Sequence, residues 1–310
     1  MTELVSILSA QLGRTANGPV RVVLDTDTYN EIDDQFALVY ALLSPERLSL
    51  EAVYAAPFHN SRSSGPGDGM RKSFHEIERV LGKMGRNCDG FAFEGSDRWL
   101  PDRSTTVDSP AVADLITRAR NTNGAPLYVA AIGAITNVAA ALIAAPDIRD
   151  KIVVLWLAGH PLHWRDANEF NMQGDPTASR VVLDSGVPLL LFPCMLVAEA
   201  LTTTLAELGQ YARDSSEIGA YLYRIFRDYE HYDLVQPGSS KVIWDLAPIA
   251  WLVDPSWVEL SVVHSPILTE GLTWSHDTSR HLIAEAKHIR RDAVFTDLFA
   301  KLAALAKVSE

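Results

Sequence analysis

The segment "VVLDTDTYNEIDDQFALVYALLS", residues 22–44, joins a short apolar run to an amphipathic one through a dense group of acidic side chains. Five carboxylates fall between Asp25 and Asp34. Because like charges repel, some of them are driven toward protonation or solvent unless a cation or a bound ligand offsets the charge. The segment therefore predicts a strand that ends at an acidic site, followed by a helix.

Similar apolar runs recur along the chain and alternate with amphipathic stretches. The predicted strands cover residues 20–26, 48–56, 126–133, 151–159 and 187–194, and the predicted helices cover about 33–44, 67–84, 109–121, 136–145 and 175–185. Near-continuous apolar strands are typical of a sheet covered on both faces, and the alternation predicts parallel strands with right-handed crossovers. We therefore expect an α/β fold with an open, mostly parallel sheet, helices on both faces and a ligand crevice at the carboxyl ends of the strands.

The pattern changes after residue 200. Helices are predicted near residues 204–232 and 241–253, and edge strands within residues 257–267 and 280–286. The chain has no Gly/Ser linker, low-complexity tract or internal repeat, so residues 1–310 are predicted to form a single domain.

Composition narrows the class of partner. Lys and Arg number 27 against 39 Asp and Glu, a formal charge of −12, which argues against nucleic acid or an anionic membrane and favours small molecules. Cys88 and Cys194 lie far apart and outside any C-x-x-C pair, so a reduced, cytoplasmic protein without disulfides or zinc is expected. The N-terminal residues 1–18 lack the basic and apolar regions of a secretory signal. The uncharged residues 127–145 are interpreted as a buried β-loop-α unit rather than a membrane span.

Three chemistries would use carboxylates at the end of a strand. A hard cation such as Ca²⁺ takes about six to eight oxygen ligands. A D-x-D phosphatase would use Asp25 as its nucleophile, although Tyr29 stands where that motif has Thr or Val. A helix N-terminus also favours acidic residues, which explains Glu31 but not the earlier Asp25 and Asp27. All three remain open at this point.

Four motifs then carry a resemblance to one enzyme family. Residues 24–38, "LDTDTYNEIDDQFAL", resemble the N-terminal D-x-D-P-G-x-D-D-A signature of the inosine-uridine-preferring nucleoside hydrolases, with Thr-Tyr-Asn-Glu in place of Pro-Gly. Residues 133–142 ("GAITNVAAAL"), 168–189 ("NEFNMQGDPTASRVVLDSGVPL") and 242–255 ("VIWDLAPIAWLVDP") resemble later motifs in the family's order. The resemblance implies an N-glycosidase that releases free base and ribose from a ribonucleoside through an oxocarbenium-like transition state.

The resemblance also implies roles for individual residues. It makes Ca²⁺ the expected cofactor, with Asp27 as both ligand and general base and with Asp34, the Thr136 carbonyl and Asp245 as further ligands. The residues expected to contact the substrate are Asp33, Asn60, Glu169, Asn171, Trp244 and His163. Alternation along an extended stretch would place Glu169 and Asn171 on one side. A homo-oligomer is implied as well.

The chain departs from the family at one position with chemical consequences. Trp244 stands where the family commonly has a His that donates a proton to the leaving base. An indole is a poor acid, but it can stack on a flat heterocycle. The loop after the fourth predicted strand carries His160 and His163, either of which could replace the missing acid. A protein that binds nucleosides or ribose without cleaving them is therefore an alternative, and the preferred base is left open.

Overall fold

The computed structural model describes residues 18–121 and 124–306. Its strands are β1 Val20–Thr26, β2 Leu48–Ala55, β3 Ala92–Glu94, β4 Leu127–Ala131, β5 Ile152–Leu157, β6 Leu189–Phe192, β7 Thr202–Thr204, β8 Ser240–Val242, β9 Val258–His264, β10 Ile267–Leu268, β11 Trp274–Ser275 and β12 Leu282–Ile289. Its α-helices are α1 Asp34–Leu42, α2 Pro66–Lys83, α3 Pro110–Arg120, α4 Thr136–Ala144, α5 Phe170–Gly174, α6 Pro176–Asp184, α7 Leu205–Tyr211, α8 Glu217–Arg227, α9 Leu246–Val253 and α10 Arg291–Ala306.

Eight strands form the central sheet, in the order β3-β2-β1-β4-β5-β6-β12-β9. All neighbouring pairs are parallel except β12 with the edge strand β9. The predicted open, mostly parallel sheet is therefore confirmed. Because β1, β4 and β5 are consecutive neighbours, the loops that follow these strands meet at one edge of the sheet, where such folds bind ligands.

Alternate residues of each central strand pack into two separate hydrophobic cores, one on each face of the sheet. In β5, Val153 and Leu155 pack on the side of α1, α2 and α9. Val154 and Trp156 pack on the side of α3, α4 and α6. Fully burying one such apolar side chain contributes about 1.5–3 kcal/mol, so both faces of the sheet favour being covered. This is why the strands are apolar throughout rather than alternating.

Local sequence sets the start of two covering helices. Ser109 caps α3 by accepting a hydrogen bond from the main-chain N–H of Val112, and a proline follows it. Asp175 caps α6 in the same way through Ala178, again with a proline next. A capping side chain and a proline at the first helical position both favour a helix start. Both predicted starts are confirmed.

Other predictions for the second half of the chain were wrong. Residues 204–232 hold two helices, α7 and α8, and residues 241–253 begin in β8 before α9 starts at Leu246. The strand predicted within residues 280–286 is β12, which begins at Leu282 and is an internal strand between β6 and β9 rather than an edge. The sheet placement of β12 depends on pairing with β6, almost a hundred residues earlier, which local periodicity does not encode.

The uncharged residues 127–145 fold as the buried unit that the sequence predicted. They divide into β4, a short loop and α4. Within residues 18–121 and 124–306, no helix combines the length and the apolar character needed to cross a membrane.

Candidate active site

Four aspartates converge at the carboxyl edge of the sheet. Asp27 follows β1, Asp33 and Asp34 lie at the start of α1, and Asp245 immediately precedes α9. Their exposed fractions are only 1%, 3%, 2% and 4% in the same order. Carboxylate oxygens of Asp33, Asp34 and Asp245 all lie within 4.8 Å of one another. The sequence placed these residues in two distant motifs, and the fold joins them in one acidic cluster.

Helix capping does not account for the cluster. Asp33 and Asp245 occupy the N-cap positions of α1 and α9, yet neither side chain accepts a hydrogen bond from its own helix. The positive ends of two helix dipoles do point toward the cluster, which favours negative charge there. Neither carboxylate therefore owes its position to capping the helix that it precedes.

Burial and mutual repulsion make the charged state of the cluster unfavourable. Burial, followed by repulsion from Asp33, raises the pKa of Asp34 to about 7. Burial is also the largest cause of the raised pKa of Asp27, with Asp34 and Asp33 adding to it. The pKa of Asp245 is raised by burial and then by the same two neighbours. A positive charge among them would reverse these shifts.

Lys241 supplies one positive charge, and sequence reasoning missed it. Its buried ammonium lies 2.7 Å from Glu31 Oε2 and 3.9 Å from Asp33 Oδ1. Burial opposes its charge, but Asp33 and Glu31 outweigh burial and raise the pKa of Lys241. One ammonium cannot balance Glu31 together with four aspartates. No local pattern marks this lysine, because it lies on β8, 210 residues from Glu31.

The donor set fits a hard divalent cation. Calcium and similar ions prefer several carboxylate and carbonyl oxygens, and the cluster offers carboxylates alone. In addition, Asp27 Oδ2 is buried and none of the described residues donates a hydrogen bond to it. Buried polar atoms nearly always have a partner, so this oxygen is suited to an ion or to a ligand hydroxyl or water.

The cluster forms one wall of a cavity of about 270 Å³. Besides the four aspartates, its lining includes Glu31, Ile132, His160, Glu169, Asn171 and Trp244. The loops after β1, β4, β5 and β6 all contribute to it, together with the residues that precede α9. The crevice expected at the carboxyl ends of the strands is therefore present, with acidic side chains gathered along one wall.

Thr136, whose carbonyl was predicted to bind calcium, does not line the cavity that contains the acidic cluster. Its hydroxyl donates a hydrogen bond to Asp175 Oδ2 at 2.9 Å, and the residue is absent from the cavity lining. Ile132, four residues earlier, does line the cavity, and its main-chain carbonyl accepts a hydrogen bond from Asn171 Nδ2 at 3.1 Å. The Thr136 assignment stays a prediction that the cavity lining does not support.

Glu169 and Asn171 both line the cavity, but the predicted extended stretch was wrong. Glu169 caps α5, which begins at Phe170, so the segment turns instead of alternating. The Glu169 carboxylate accepts hydrogen bonds from main-chain N–H groups, including that of Gly159 at 2.8 Å. Asn171 Nδ2 donates to the carbonyls of Ile132 and Leu157. Phe170 reaches the cavity lining as well.

The other predicted substrate contacts divide into two groups. Trp244 lines the cavity, and its main-chain N–H donates to Asp33 Oδ2 at 3.1 Å. Asn60 does not line the cavity itself. Its side-chain amide donates a hydrogen bond at 2.7 Å to Oδ1 of Asn30, which does line the cavity. His163 is exposed and lies outside the lining, whereas His160 lies within it. Of the two loop histidines, the structure favours His160.

Asp25 has a structural place that argues against a nucleophile. It is fully buried, lies outside the cavity lining, and accepts a hydrogen bond from Asn137 Nδ2 at 2.7 Å. Burial raises its pKa to about 7, and the Asn137 bond opposes that rise. The Oδ1 atom of Asn137 in turn accepts a hydrogen bond from the main-chain N–H of Ser96 at 2.8 Å. Asn137 thus links β1 to neighbouring loops.

An open, mostly parallel sheet with an oxygen-rich cavity at its carboxyl edge is typical of α/β proteins that bind a small molecule there. The sequence profile described as "Inosine-uridine preferring nucleoside hydrolase" matches residues 22–296. The chain belongs to this nucleoside hydrolase family, which confirms the predicted family and its enzyme class, N-glycosidase. Membership argues against the phosphatase alternative.

Individual relatives agree with this placement. The pyrimidine-specific ribonucleoside hydrolase RihA of Salmonella arizonae is 27% identical over 258 residues, covering 75% of this chain and 79% of the relative. RihA of Klebsiella pneumoniae is 26% identical over 250 residues, covering 72% of this chain and 76% of the relative.

Two solved structures share the fold. The plant nucleoside hydrolase PpNRh1 superposes with a TM-score of 0.71 at 22% identity, covering 92% of this chain and 99% of its own. The purine-preferring ribonucleoside hydrolase from Gardnerella vaginalis gives 0.72 at 21%, covering 93% and 99%.

Proposed function

We propose that this protein is a calcium-dependent ribonucleoside hydrolase in which Asp27 is the general base. The observation that carries the proposal is the buried acidic cluster, in which Asp27 Oδ2 lies without a hydrogen-bond partner among the described residues. A calcium ion would be held by Asp27, Asp34 and Asp245. When bound, such an ion lowers the pKa of water and orients sugar hydroxyls.

Asp27 is suited to accept a proton from the attacking water. In the cation-loaded site its carboxylate is ionised, and a general base acts at hydrogen-bond distance from the proton that it removes. The water oxygen forms a bond to the anomeric carbon while the carbon–nitrogen bond breaks. The bonding electron pair leaves with the base, which takes up a proton from solvent as it departs, and Asp27 then releases to solvent the proton that it accepted from the attacking water. Nucleoside and water thus become ribose and free base.

Gly133 and Asn171 help to position the groups that would react with or bind the substrate. A Cβ atom on Gly133 would stand 3.0 Å from Asp27 Cγ and Oδ1, so this glycine lets the carboxylate pack against the main chain. Asn171 Nδ2 is committed to two carbonyls, which leaves its Oδ1 as the amide atom available to a sugar hydroxyl. Asp33, a member of the acidic cluster, also accepts a hydrogen bond from the main-chain N–H of Trp244.

Trp244 is proposed to hold the leaving base by stacking. It lines the cavity next to Asp245, and a nucleobase stacked on an aromatic side chain is stabilised by about 1–3 kcal/mol. An aromatic face tolerates purines and pyrimidines alike, so stacking by itself does not select the base. The pyrimidine specificity in the name of the RihA relatives makes uridine and cytidine the first substrates to test.

The proposal extends to the setting of the enzyme. We include residues 1–310 as one functional domain, a cytoplasmic location consistent with two unpaired cysteines, and a homo-oligomer. Sedimentation at several protein concentrations tests the last of these. A stable monomer would contradict it.

The test of the function uses nucleosides and a chelator. Purified protein is incubated with uridine, cytidine, inosine and adenosine, with Ca²⁺ or with excess chelator, and free base and reducing sugar are measured. We expect turnover with Ca²⁺, loss of turnover in chelator, and a fall of at least roughly a hundredfold in kcat for Asp27→Asn. The exposed Asp108→Asn serves as the control. Tight binding with the nucleoside recovered intact would instead identify a non-catalytic binding protein.

A further inference from the structure

The cavity at the acidic cluster carries more negative charge than one divalent ion can balance. Its lining holds six carboxylates and, among the described residues, no Lys or Arg; the carboxylates are those of Asp27, Glu31, Asp33, Asp34, Glu169 and Asp245. The ammonium of Lys241 is buried outside the lining, 2.7 Å from Glu31 and 3.9 Å from Asp33. This ammonium and a divalent ion together balance three of the six charges. The space that remains therefore favours a ligand with a positive charge of its own.

The base position proposed at Trp244 lies beside this excess charge. Asp245 follows Trp244 in the chain, and Asp33 Oδ2 accepts the Trp244 main-chain N–H at 3.1 Å. Glu31 is joined to Asp33 through Lys241, and its side chain, which lines the cavity, is 39% exposed. A flat cation that stacks on an aromatic ring is attracted by the ring face. The carboxylates and the indole therefore favour the same kind of base, a planar ring with a positive charge.

The histidine of the described lining is not placed to protonate a base at Trp244. The ring of His160 lies 5.4 Å from the Trp164 ring, and its main-chain carbonyl accepts the Trp274 indole N–H at 3.1 Å. Trp274 packs in the core on the face of the sheet that α3, α4 and α6 cover, whereas Trp244 packs against the core on the face of α1, α2 and α9. An acid at His160 would therefore approach the substrate from the side away from the stacking position.

The other protic side chains near the base position are poor acids. The Tyr229 hydroxyl hydrogen-bonds Glu31, and burial followed by the charge of Glu31 raises the pKa of that hydroxyl. The Cys194 thiol lines the cavity, and burial followed by the charge of Glu169 raises its pKa. Glu31 and Asp33 already pair with a buried ammonium. A base that needs a proton in order to leave is therefore poorly served here, whereas a base that is already cationic needs none.

We propose that this cavity favours nucleosides whose base carries a permanent positive charge at the glycosidic nitrogen, such as N-ribosylpyridinium compounds, and that Glu31 is a specificity-determining residue for that charge. This inference rests on the proposed function. Water bonds to the anomeric carbon as the carbon–nitrogen bond breaks, and the bonding electron pair neutralises the ring nitrogen. The base then leaves uncharged without taking up a proton. Asp27 accepts the proton of the attacking water and passes it to solvent, so the products are ribose, a neutral base and one proton.

The binding test uses two ligands that differ in charge but hardly in shape. They are carbocyclic N-ribosylnicotinamide, a pyridinium cation, and its uncharged 1,4-dihydro form; a methylene group replaces the ring oxygen of the sugar in both, so neither is hydrolysed. Calorimetric Kd values are measured with Ca²⁺ for the wild type, Glu31→Gln and Glu259→Gln. The last variant is a matched control, because it makes the same change at an exposed residue of the edge strand β9.

We expect the wild type to bind the cation at least roughly tenfold more tightly than the dihydro form. Glu31→Gln removes one of the excess charges and is expected to reduce this ratio by roughly fivefold, by weakening the binding of the cation, while Glu259→Gln keeps it. A purely structural role of Glu31 would instead weaken the binding of both ligands equally.

The turnover test asks whether departure of the base needs a proton. N-ribosylnicotinamide, uridine and inosine are offered with Ca²⁺ to the wild type, Trp244→His and Trp244→Phe. Trp244→His places an acid beside the base and is expected to raise kcat for uridine and inosine by roughly tenfold or more, with a new pH dependence, but not for the cation. Trp244→Phe keeps an aromatic face without an acid, so neither neutral substrate should gain.

Equal binding of the two carbocyclic ligands by the wild type would overturn the inference, even if the Glu31 variant failed to fold. A gain in kcat for N-ribosylnicotinamide as large as that for inosine in Trp244→His would overturn it as well, because departure of the cationic base would then depend on a proton. If no nucleoside is cleaved but the cation is bound preferentially, the proposed function fails and the charge preference stands. If uridine or inosine is cleaved while the cation is neither bound nor cleaved, the proposed function stands and this inference fails.

Discussion

Replacing Asp34 by asparagine is expected to stabilise the cation-free protein at neutral pH while removing its response to calcium. Asp34 is buried beside Asp33 and Asp245, so its negative charge is unfavourable when no ion is bound. Asparagine has nearly the same shape, and its Oδ1 can still accept the hydrogen bond that Thr26 donates. The substitution therefore removes a charge and one ligand oxygen with little change in packing.

The magnitude follows from the pKa of the buried carboxyl. Burial and repulsion by Asp33 raise the pKa of Asp34 from 3.8 to about 7, and one pH unit corresponds to about 1.4 kcal/mol. Because the folded chain holds the proton more tightly than the unfolded chain, the free energy of unfolding falls as pH rises from about 4 to about 7 and is constant above that. Relative to low pH, the raised pKa of Asp34 thus lowers the free energy of unfolding by about 4 kcal/mol at pH 8, where the folded carboxyl is ionised. The loss is about 1.5 kcal/mol at pH 5, where the carboxyl is protonated in the folded chain and ionised in the unfolded chain.

Thermal or urea unfolding in chelator at pH 5 and pH 8 measures the effect. We expect Asp34→Asn to be more stable than the wild type by up to about 4 kcal/mol at pH 8, with a smaller difference at pH 5. The exposed Asp108→Asn should match the wild type at both values. With Ca²⁺ at about a hundred times its Kd, the wild type should gain about 2.7 kcal/mol and the variant much less.

Two outcomes would refute the reasoning. If Asp34→Asn were no more stable than the wild type in chelator at pH 8, the carboxyl would not be carrying an unfavourable charge. If both proteins gained equally from Ca²⁺, Asp34 would not belong to the ion site.

The remaining predictions concern two residues that position the site and its strand. Gly133→Ala should lower kcat by roughly tenfold with little change in Tm, because the new methyl group, 3.0 Å from the Asp27 carboxylate, must displace it; steady-state kinetics and a thermal melt check this. Asn137→Leu should lower the free energy of unfolding by about 2–4 kcal/mol in urea titrations, since it removes the partners of buried Asp25 and of the Ser96 N–H.

The residues of the site differ in how far the sequence could place them. Asp27, Asp33 and Asp34 fall in one short segment, so a strand followed by a helix start was sufficient to bring them to one edge of the sheet. Asp245 could be added through the order of the family motifs. Trp244 was placed by the same motif because it precedes Asp245, and both residues line the cavity.

Residues whose roles depend on distant partners were not predictable in this way. Lys241 is an unremarkable lysine in the sequence, and only the packing of β8 brings it to Glu31. His160 and His163 are three residues apart in the same loop, and local patterns give no reason to prefer one. Gly159, with a φ of 69°, turns the chain immediately before His160, and His160 is the histidine that lines the cavity.

The sequence by itself determined the periodic, local features: apolar strands, helix starts at Ser109 and Asp175, the acidic segment and the family motifs. These depend on contacts within a few residues, which the order of side chains specifies directly. The tertiary structure decided the rest: β12 within the sheet, Asn137 bound to Asp25, Lys241 beside Glu31 and Asp33, and His160 in the cavity lining. Those contacts connect segments tens to hundreds of residues apart, and burial makes each of them energetically significant only once the sheet has formed.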